Sequence, residues 1–275
     1  MTTSSVPAHE RSLDSGPLAS IRERRPLIHL IANLVSMAAC AQAVNSLGAA
    51  SLFAHVPEEA VEVALSADAV VINIGTSVPG FGDTAVAVAV ACAGAGIPVV
   101  LDPLGAGASS YRAGLVRRLV ETGAITLVSG NAAELAALAG IGARSRGADS
   151  LSTALPPEEV AARAAARTGA VVSMSGRVDR VSDGTRTAGI TGGHPVMGRV
   201  VGTGSVRTSV LGAFLSVGAD DPFAAALAGT RAFSLAGERA AAAGGGPGHF
   251  FAELYNVLDT FDDADIAAAG KGIES

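Results

Sequence analysis

Short apolar runs bounded by turn residues alternate, along almost the whole chain, with longer stretches that carry apolar residues at helical spacing. Runs at 27–32, 69–74, 98–101, 125–128 and 170–174 read as strands, with 51–54 a shorter candidate. Between them, 37–47, 58–66, 84–95, 112–122, 132–138 and 158–167 read as helices. A strand buried on both faces has no polar face to alternate, so it reads as a continuous apolar run. Repeated strand-helix-strand units with right-handed crossovers then place helices on both faces of a parallel sheet. The fold class this predicts is α/β, with three layers around a largely parallel central sheet. Residues 178–181 and 186–190 flank Ser182-Asp183-Gly184-Thr185, where Asp-Gly is a strong hairpin signal, so the sheet is expected to be mixed at one edge. From Gly204 the pattern is helical to Leu215, then from Pro222 to about Ala243, then from Gly248 to Leu258. Residues 140–157 form the longest non-periodic stretch and are expected to be a loop.

At 275 residues one sizeable core can be buried, and one α/β domain over 17–275 is expected. Residues 1–16 are polar, lack the apolar core of a secretory segment and read as a frayed tail. Residues 84–101 are uncharged and long enough to raise the question of a membrane span, but glycines and Pro98 interrupt them and Asp102 follows. A helix running into a buried strand accounts for them better, and no membrane partner is expected. The formal net charge is −6, Lys271 is the one lysine and no basic stripe is present, which argues against nucleic-acid binding. An anion site in such a chain has to rely on backbone amides, a metal ion or arginine. Cys40 and Cys92 sit in Ala-rich helical patterns without metal-ligand spacing, as two reduced buried thiols of a cytoplasmic protein would.

Val201-Gly202-Thr203-Gly204-Ser205 stands just before a helical pattern. Its glycines let backbone approach a ligand, and the first amides of a helix point outward at the positive end of its dipole, which outlines an anion hole. Taken alone the turn is weak evidence, because a tight loop before a helix explains it. Asp102 follows an apolar strand and precedes Pro103-Leu104-Gly105-Ala106-Gly107-Ala108, so it emerges at the strand edge where open α/β sheets bind ligands. Glu134, in Ser129-Gly130-Asn131-Ala132-Ala133-Glu134, begins the helix after the next strand. Two carboxylates on one edge suit hydrated Mg²⁺, although each alone fits helix capping or a solvated turn. Together with the glycine turn they point to phosphoryl transfer.

His55 fits a ligand, a general base or a loop residue, since Glu58 and Glu59 read as the first turn of a helix. His29 lies in a strand pattern and is expected to be packed and hydrogen-bonded. Asn33 and Asn73 lie at strand ends, where an amide can orient a polar group of a small ligand, with Asn33 the better candidate.

At this point several linked segments resemble the hydroxyethylthiazole kinase family from about Pro26 to Leu258. Pro26 to Val35 is similar to the family's opening strand and Asn-containing turn, and Ala54-His55 with Glu58-Glu59 to its Ala-His-x-x-Glu-Glu. Asn73-Ile74-Gly75-Thr76, the segment from Leu101 to Ala108, Gly130-Asn131-Ala132-Ala133-Glu134 and Gly246-Pro247-Gly248-His249-Phe250 follow in family order. The resemblance implies a ribokinase-like fold and ATP-dependent phosphorylation of the primary alcohol of 4-methyl-5-(2-hydroxyethyl)thiazole, a thiamine-salvage step. It also implies a homotrimer with active sites at subunit interfaces. Carried over by residue, Asp102 and Glu134 resemble the Mg²⁺-associated acids, and Gly202, Thr203, Gly204 and Ser205 the catalytic anion hole. Ser129, Asn131 and Ser175 fall on the ATP side, Ser175 where the family has a threonine. Asn33, Phe53, His55 and Gly202 fall around the alcohol substrate.

The chain also departs from the family pattern. An ATP-contacting arginine is Ser129 here, the cysteine closing the anion hole is Ser205, and the threonine opening that motif is Val201. A pocket methionine is matched by Phe53, and a threonine before the opening asparagine by Ala32. Three readings therefore stand: a kinase, weak or retargeted; a family member that has given up ATP and transforms another heteroaromatic or apolar metabolite; and a non-catalytic trimeric binding protein.

Overall fold

In the computed structural model, which describes residues 16–141 and 155–269, the apolar runs become six parallel strands. They are β1 (Leu27–Ile31), β2 (Ala50–Leu52), β3 (Ala69–Asn73), β4 (Val99–Asp102), β5 (Ile125–Asn131) and β6 (Val171–Ser175). The Asp-Gly turn joins β7 (Asp179–Ser182) to β8 (Thr187–Ile190), both antiparallel to their neighbours. All eight form one sheet in the order β2-β1-β3-β4-β5-β6-β7-β8. Because β7 reverses direction and β8 reverses it again, β8 ends on the same edge as β1 to β6. The expected tail, apart from Gly16, and most of the expected loop at 140–157 lie outside the described residues, as does Lys271.

The helices are α1 (Pro17–Arg24), α2 (Met37–Ser46), α3 (Pro57–Ser66), α4 (Phe81–Ala95), α5 (Ser110–Glu121), α6 (Ala132–Leu138), α7 (Pro157–Thr168), α8 (Thr203–Val217), α9 (Pro222–Ala242), α10 (Gly246–Thr260) and α11 (Asp263–Ala269). Two apolar cores follow from the strand period. Ile28, Leu30, Val71, Val100 and Leu127 face α1, α2, α8, α9 and α10. Ile31, Val70, Ile72, Val99, Leu101 and Val128 face the layer of α3 to α7. The two cysteines are free and buried, one in each core. No helix among the described residues is long and apolar enough to cross a membrane, and residues 84–101 fall in α4 and β4.

Sequence period does not reveal α1, α11 or a 3-10 turn at Pro195–Arg199. The reason is visible for α1: its first amides are capped from the far end of the chain, with Leu18 and Ala19 N–H groups donating to the Asp263 carboxylate at 2.9 and 2.8 Å. Helix α8 lies directly on the sheet. A Cβ on Gly212 would stand 2.6 Å from Val71 Cγ2, so glycine sets how closely the helix can approach.

Candidate active site

The same strand period that fills the core puts a row of polar side chains beneath α8. Asn73, Asp102, Ser129 and Ser173 continue the series Val71, Val100, Leu127 and Val171 by one pleat toward the carboxyl edge. Asn73 is paired with Asp102, and Ser129 with Ser173, across neighbouring strands. All four are buried. They therefore have to find their partners inside the protein.

Asp102 is 4% exposed, and its Oδ2 accepts from Asn73 Nδ2 at 2.5 Å and from Thr208 Oγ1 on α8 at 3.4 Å. Burial holds this carboxyl well above the usual carboxylate range, and the nearby Glu134 charge adds to the rise; Thr208, the Leu104 amide and Ser205 oppose it. Burial also raises Glu134, against the pull of the Asn131 and Gly105 amides and of the Arg112 charge. Glu134 forms a capping box with Asn131 at the start of α6: Asn131 N–H donates to Oε2 at 2.9 Å, and Glu134 N–H donates to Asn131 Oδ1 at 3.0 Å. Its Oε1 accepts from Gly105 N–H at 2.9 Å. Arg112 completes a ring around these loops by donating to the carbonyls of Leu104 and Gly75.

Helix α8 begins at Thr203, one residue earlier than the helical pattern suggests, with Gly202 as its cap at φ 90°. A Cβ there would be strained and would stand 2.9 Å from Ser36 Cβ. No side chain caps the helix, so the amides of Gly204 and Ser205 open toward the strand edge. The Thr203 hydroxyl turns back to the Val200 carbonyl at 2.7 Å. Ser205 is 3% exposed, and its Oγ accepts from Asn33 Nδ2 and from Asn73 Nδ2, both at 2.9 Å. Its hydroxyl is also close enough to Asp102 to oppose the rise of that carboxyl's pKa. The other ends of the two amides hold loops: Asn33 Oδ1 accepts from Val35 and Ser36 N–H, and Asn73 Oδ1 from Gly75 N–H.

On the other flank, Ser129 is buried and its Oγ accepts from Arg207 Nη1 of α8 at 3.1 Å. Asn131 and Ser175 end β5 and β6 in register, with the Ser175 hydroxyl directed at the Gly130 carbonyl at 3.5 Å. Beyond them, Ile190, Gly192, Arg231, Ser234 and Glu238 line a cleft of about 410 Å³ between the end of β8 and α9. It is joined to the turn after β6 by Asp179, which accepts from Ser234 Oγ at 3.1 Å and Gly176 N–H at 2.9 Å. A wider cleft of about 830 Å³, lined by Arg22, Arg25, Asn45 and Asp259 among others, opens at the opposite, amino edge of the strands.

The histidines tie β1 to the loop after β2. His29 is buried with Nε2 2.9 Å from the Ala54 carbonyl, and His55 Nε2 is 3.1 Å from the Ala32 carbonyl. Phe53 stacks on His55 with ring centroids 6.1 Å apart. Leu34, Val35, Val56 and Val201 on the loops, and Leu52 at the end of β2, are exposed at this carboxyl edge, Val35 at 69% and Val201 at 75%.

The structure thus gathers Asn33, Asp102 and Ser205 with Asn73 into one hydrogen-bonded centre, places Thr203 and Gly204 beside it on the first turn of α8, and sets Glu134 near enough for its charge to reach Asp102. Ser129, Asn131 and Ser175 border that centre along β5 and β6, and Phe53 and His55 lie on its β2 side. From sequence alone Asn33 stands above Asn73, and Arg112, Arg207 and Thr208 carry no motif that singles them out. A signal for Arg207 was present: it is the single charge in an otherwise uncharged helical run from Gly204 to Leu215.

The sequence profile of the Hydroxyethylthiazole kinase family matches residues 18–263. The chain belongs to the hydroxyethylthiazole kinase family. It is 44% identical over 257 residues to the hydroxyethylthiazole kinase of Granulibacter bethesdensis, covering 93% of each chain. The solved hydroxyethylthiazole kinase structure from Pyrococcus horikoshii superposes with a TM-score of 0.84 at 34% identity, over 94% of this chain and 96% of that one. A ribokinase-like superfamily protein of Enterococcus faecalis shares the fold, with a TM-score of 0.59 at 16% identity over 95% and 92% of the two chains. The ribokinase-like three-layer α/β class expected from sequence is therefore the fold of this hydroxyethylthiazole kinase family member. Its serine at position 129 is met by an arginine from another element, Arg207.

Proposed function

We propose that this family member is an ATP- and Mg²⁺-dependent kinase that phosphorylates the primary alcohol of hydroxyethylthiazole or a related heteroaromatic alcohol, a thiamine-salvage reaction. The observation that carries this reading is the convergence, on one strand edge, of Asp102 with the uncapped amino end of α8 through Ser205, Asn73 and Thr208.

Asp102 and Glu134 suit a magnesium ion. They are hard oxygen donors on neighbouring elements whose mutual repulsion a divalent cation would relieve. Among the described residues no cluster of three or more His, Cys, Asp or Glu side chains is built to hold a metal. That fits an ion held by one or two protein oxygens, with water and phosphate in its remaining positions. When bound, the ion would neutralise charge on the phosphates of ATP.

The chain's own residues supply the rest. The amides of Gly204 and Ser205 stabilise charge on the transferring phosphoryl group, with Gly202 and Thr203 shaping the turn. Asn131, Ser175 and the backbone around Ser129 border the nucleotide, and the cleft beside Arg231 and Ser234 receives its base end. Asn33, Phe53 and His55, with Gly202, border the acceptor alcohol. Ser205 serves to orient rather than to abstract, because its oxygen already accepts two hydrogens; the alcohol proton leaves to phosphate or solvent. We place the enzyme in the cytoplasm as a homotrimer, in which the apolar loops at the carboxyl edge are covered by a second copy.

The reading without ATP drew on the losses at Ser129, Val201 and Ser205. The guanidinium that Arg207 brings to Ser129 counts against it. Calorimetry separates the two: the kinase binds Mg-ATP with a Kd below about 1 mM, and a protein that binds the heteroaromatic alcohol but not Mg-ATP at that level is not this kinase. Asp102→Ala is expected to lower kcat at least about 100-fold; unchanged turnover would remove Asp102 from the mechanism.

A further inference from the structure

Arg207 is 4% exposed on the sheet side of α8, and nothing in the proposed reaction yet uses it. Withdrawing a guanidinium from water is costly, and an apolar side chain of similar volume often serves stability better. Its partners match it only in part. Nη1 donates to Ser129 Oγ and to the Ser173 carbonyl, each at 3.1 Å, and Nη2 donates to Ser173 Oγ at 2.7 Å. The closest carboxylate, Asp179 Oδ2, stands 3.8 Å from Nη2, beyond hydrogen-bond range, and is itself held by Ser234. Among the described residues no oxygen accepts from Nε. The charge is therefore buried and incompletely balanced, in surroundings where its field is weakly screened.

Its position gives that field a direction. Arg207 follows Ser205 by two residues on α8, and the serines it holds precede Asn131 and Ser175 by two residues on β5 and β6. The guanidinium thus lies behind the corner between the amino end of α8 and the ends of those strands. The kinase reading puts the nucleotide phosphates in front of that corner.

We infer that Arg207 is a positioning residue for the nucleotide phosphates, acting through Ser129 and Ser173: its fork locks the amino end of α8 to β5 and β6, and its unbalanced charge favours a polyanion in the cleft. This rests on the kinase reading, and the experiment separates the two. Mg-ATP and hydroxyethylthiazole are titrated calorimetrically into wild-type protein, Arg207→Met, Arg207→Lys and the double variant Arg207→Met with Asp179→Asn. The double variant removes both the buried guanidinium and its half-buried carboxylate neighbour, so it leaves neither charge unpaired and is expected to fold even where the single one does not; circular dichroism reports folding throughout. The expected result is a rise of about tenfold or more in the Kd for Mg-ATP in the folded neutral variants, partial recovery in Arg207→Lys, and less than about a twofold change for the alcohol. Unchanged Mg-ATP affinity in a folded neutral variant overturns the inference while leaving the kinase reading intact, as does equal weakening of both ligands. Failure of both neutral variants to fold also overturns it, by making Arg207 a residue of core stability. Wild-type protein that does not bind Mg-ATP overturns the kinase reading itself.

Discussion

Asn73 ties three parts of the centre together: one amide reaches Asp102, Ser205 and the Gly75 backbone. Replacing it with leucine, of similar size, would leave two buried polar groups and the half-buried Gly75 amide without that partner. Each such group costs about 1–3 kcal/mol, so Asn73→Leu should lose about 3 kcal/mol or more in urea denaturation and at least tenfold in kcat. Wild-type stability would show that the network is not coupled to folding. His29 gives a second test. Burial lowers its pKa below the ordinary 6.5, against the hydrogen bond to Ala54. The unfolded chain then takes up a proton at His29 as pH falls past that value while the folded chain resists, so this residue withdraws stability on acidification. The urea midpoint of wild-type protein should therefore drop further between pH 7.5 and 5.5 than that of His29→Gln; parallel drops would mean that His29 charges inside the fold. At this scale the sequence disclosed acids and glycines through their place after apolar runs. It placed Asn33 above Asn73 without their partners in view, and an amide's importance depends on partners brought from other strands.

Among elements, α8 is the one on which both the site and the sheet depend, and Gly212 sets its distance from β3. An added Cβ would meet Val71 Cγ2 at 2.6 Å, so Gly212→Ala must displace the Val71 side chain, lift the helix or bend the strand. Overpacking of this kind costs about 1–3 kcal/mol. Because the same helix carries Gly204, Ser205 and Arg207, kcat should fall along with the melting temperature. Loss of stability with full turnover would show that the amino end of α8 is insulated from its middle. Strands were legible because continuous apolar runs have few other uses, but their ends were not. β4 extends to Asp102 and β5 to Asn131, since parallel pairing continues through polar residues that face α8. α1 escaped for the opposite reason: its amino-terminal cap, Asp263, lies at the far end of the chain and leaves no local signature.

For the whole molecule, the mouth of the site presents a problem that one chain does not solve. Leu34, Val35, Leu52, Val56 and Val201 come from three separate segments and are exposed at the same carboxyl edge that holds Asp102 and the start of α8. Scattered apolar side chains need no explanation, but a group of them around a polar cleft marks a surface that another molecule covers. Periodicity could not reveal this, because it registers which residues point inward within one chain and is silent on surfaces shared between copies. Burying such a side chain contributes roughly 1.5–3 kcal/mol, and putting a carboxylate in its place against an apolar partner reverses the sign. If the proposed homotrimer covers this edge, the double substitution Val35→Asp with Val201→Asp should leave the circular dichroism spectrum unchanged and shift sedimentation velocity from trimer toward monomer. If the acceptor site is completed by the second copy, the KM for the alcohol should rise in step with dissociation and fall back as protein concentration is raised. A wild-type protein that sediments as a monomer at micromolar concentration would refute the shared mouth, and a dissociated variant with unaltered KM would show that one chain builds the acceptor site alone.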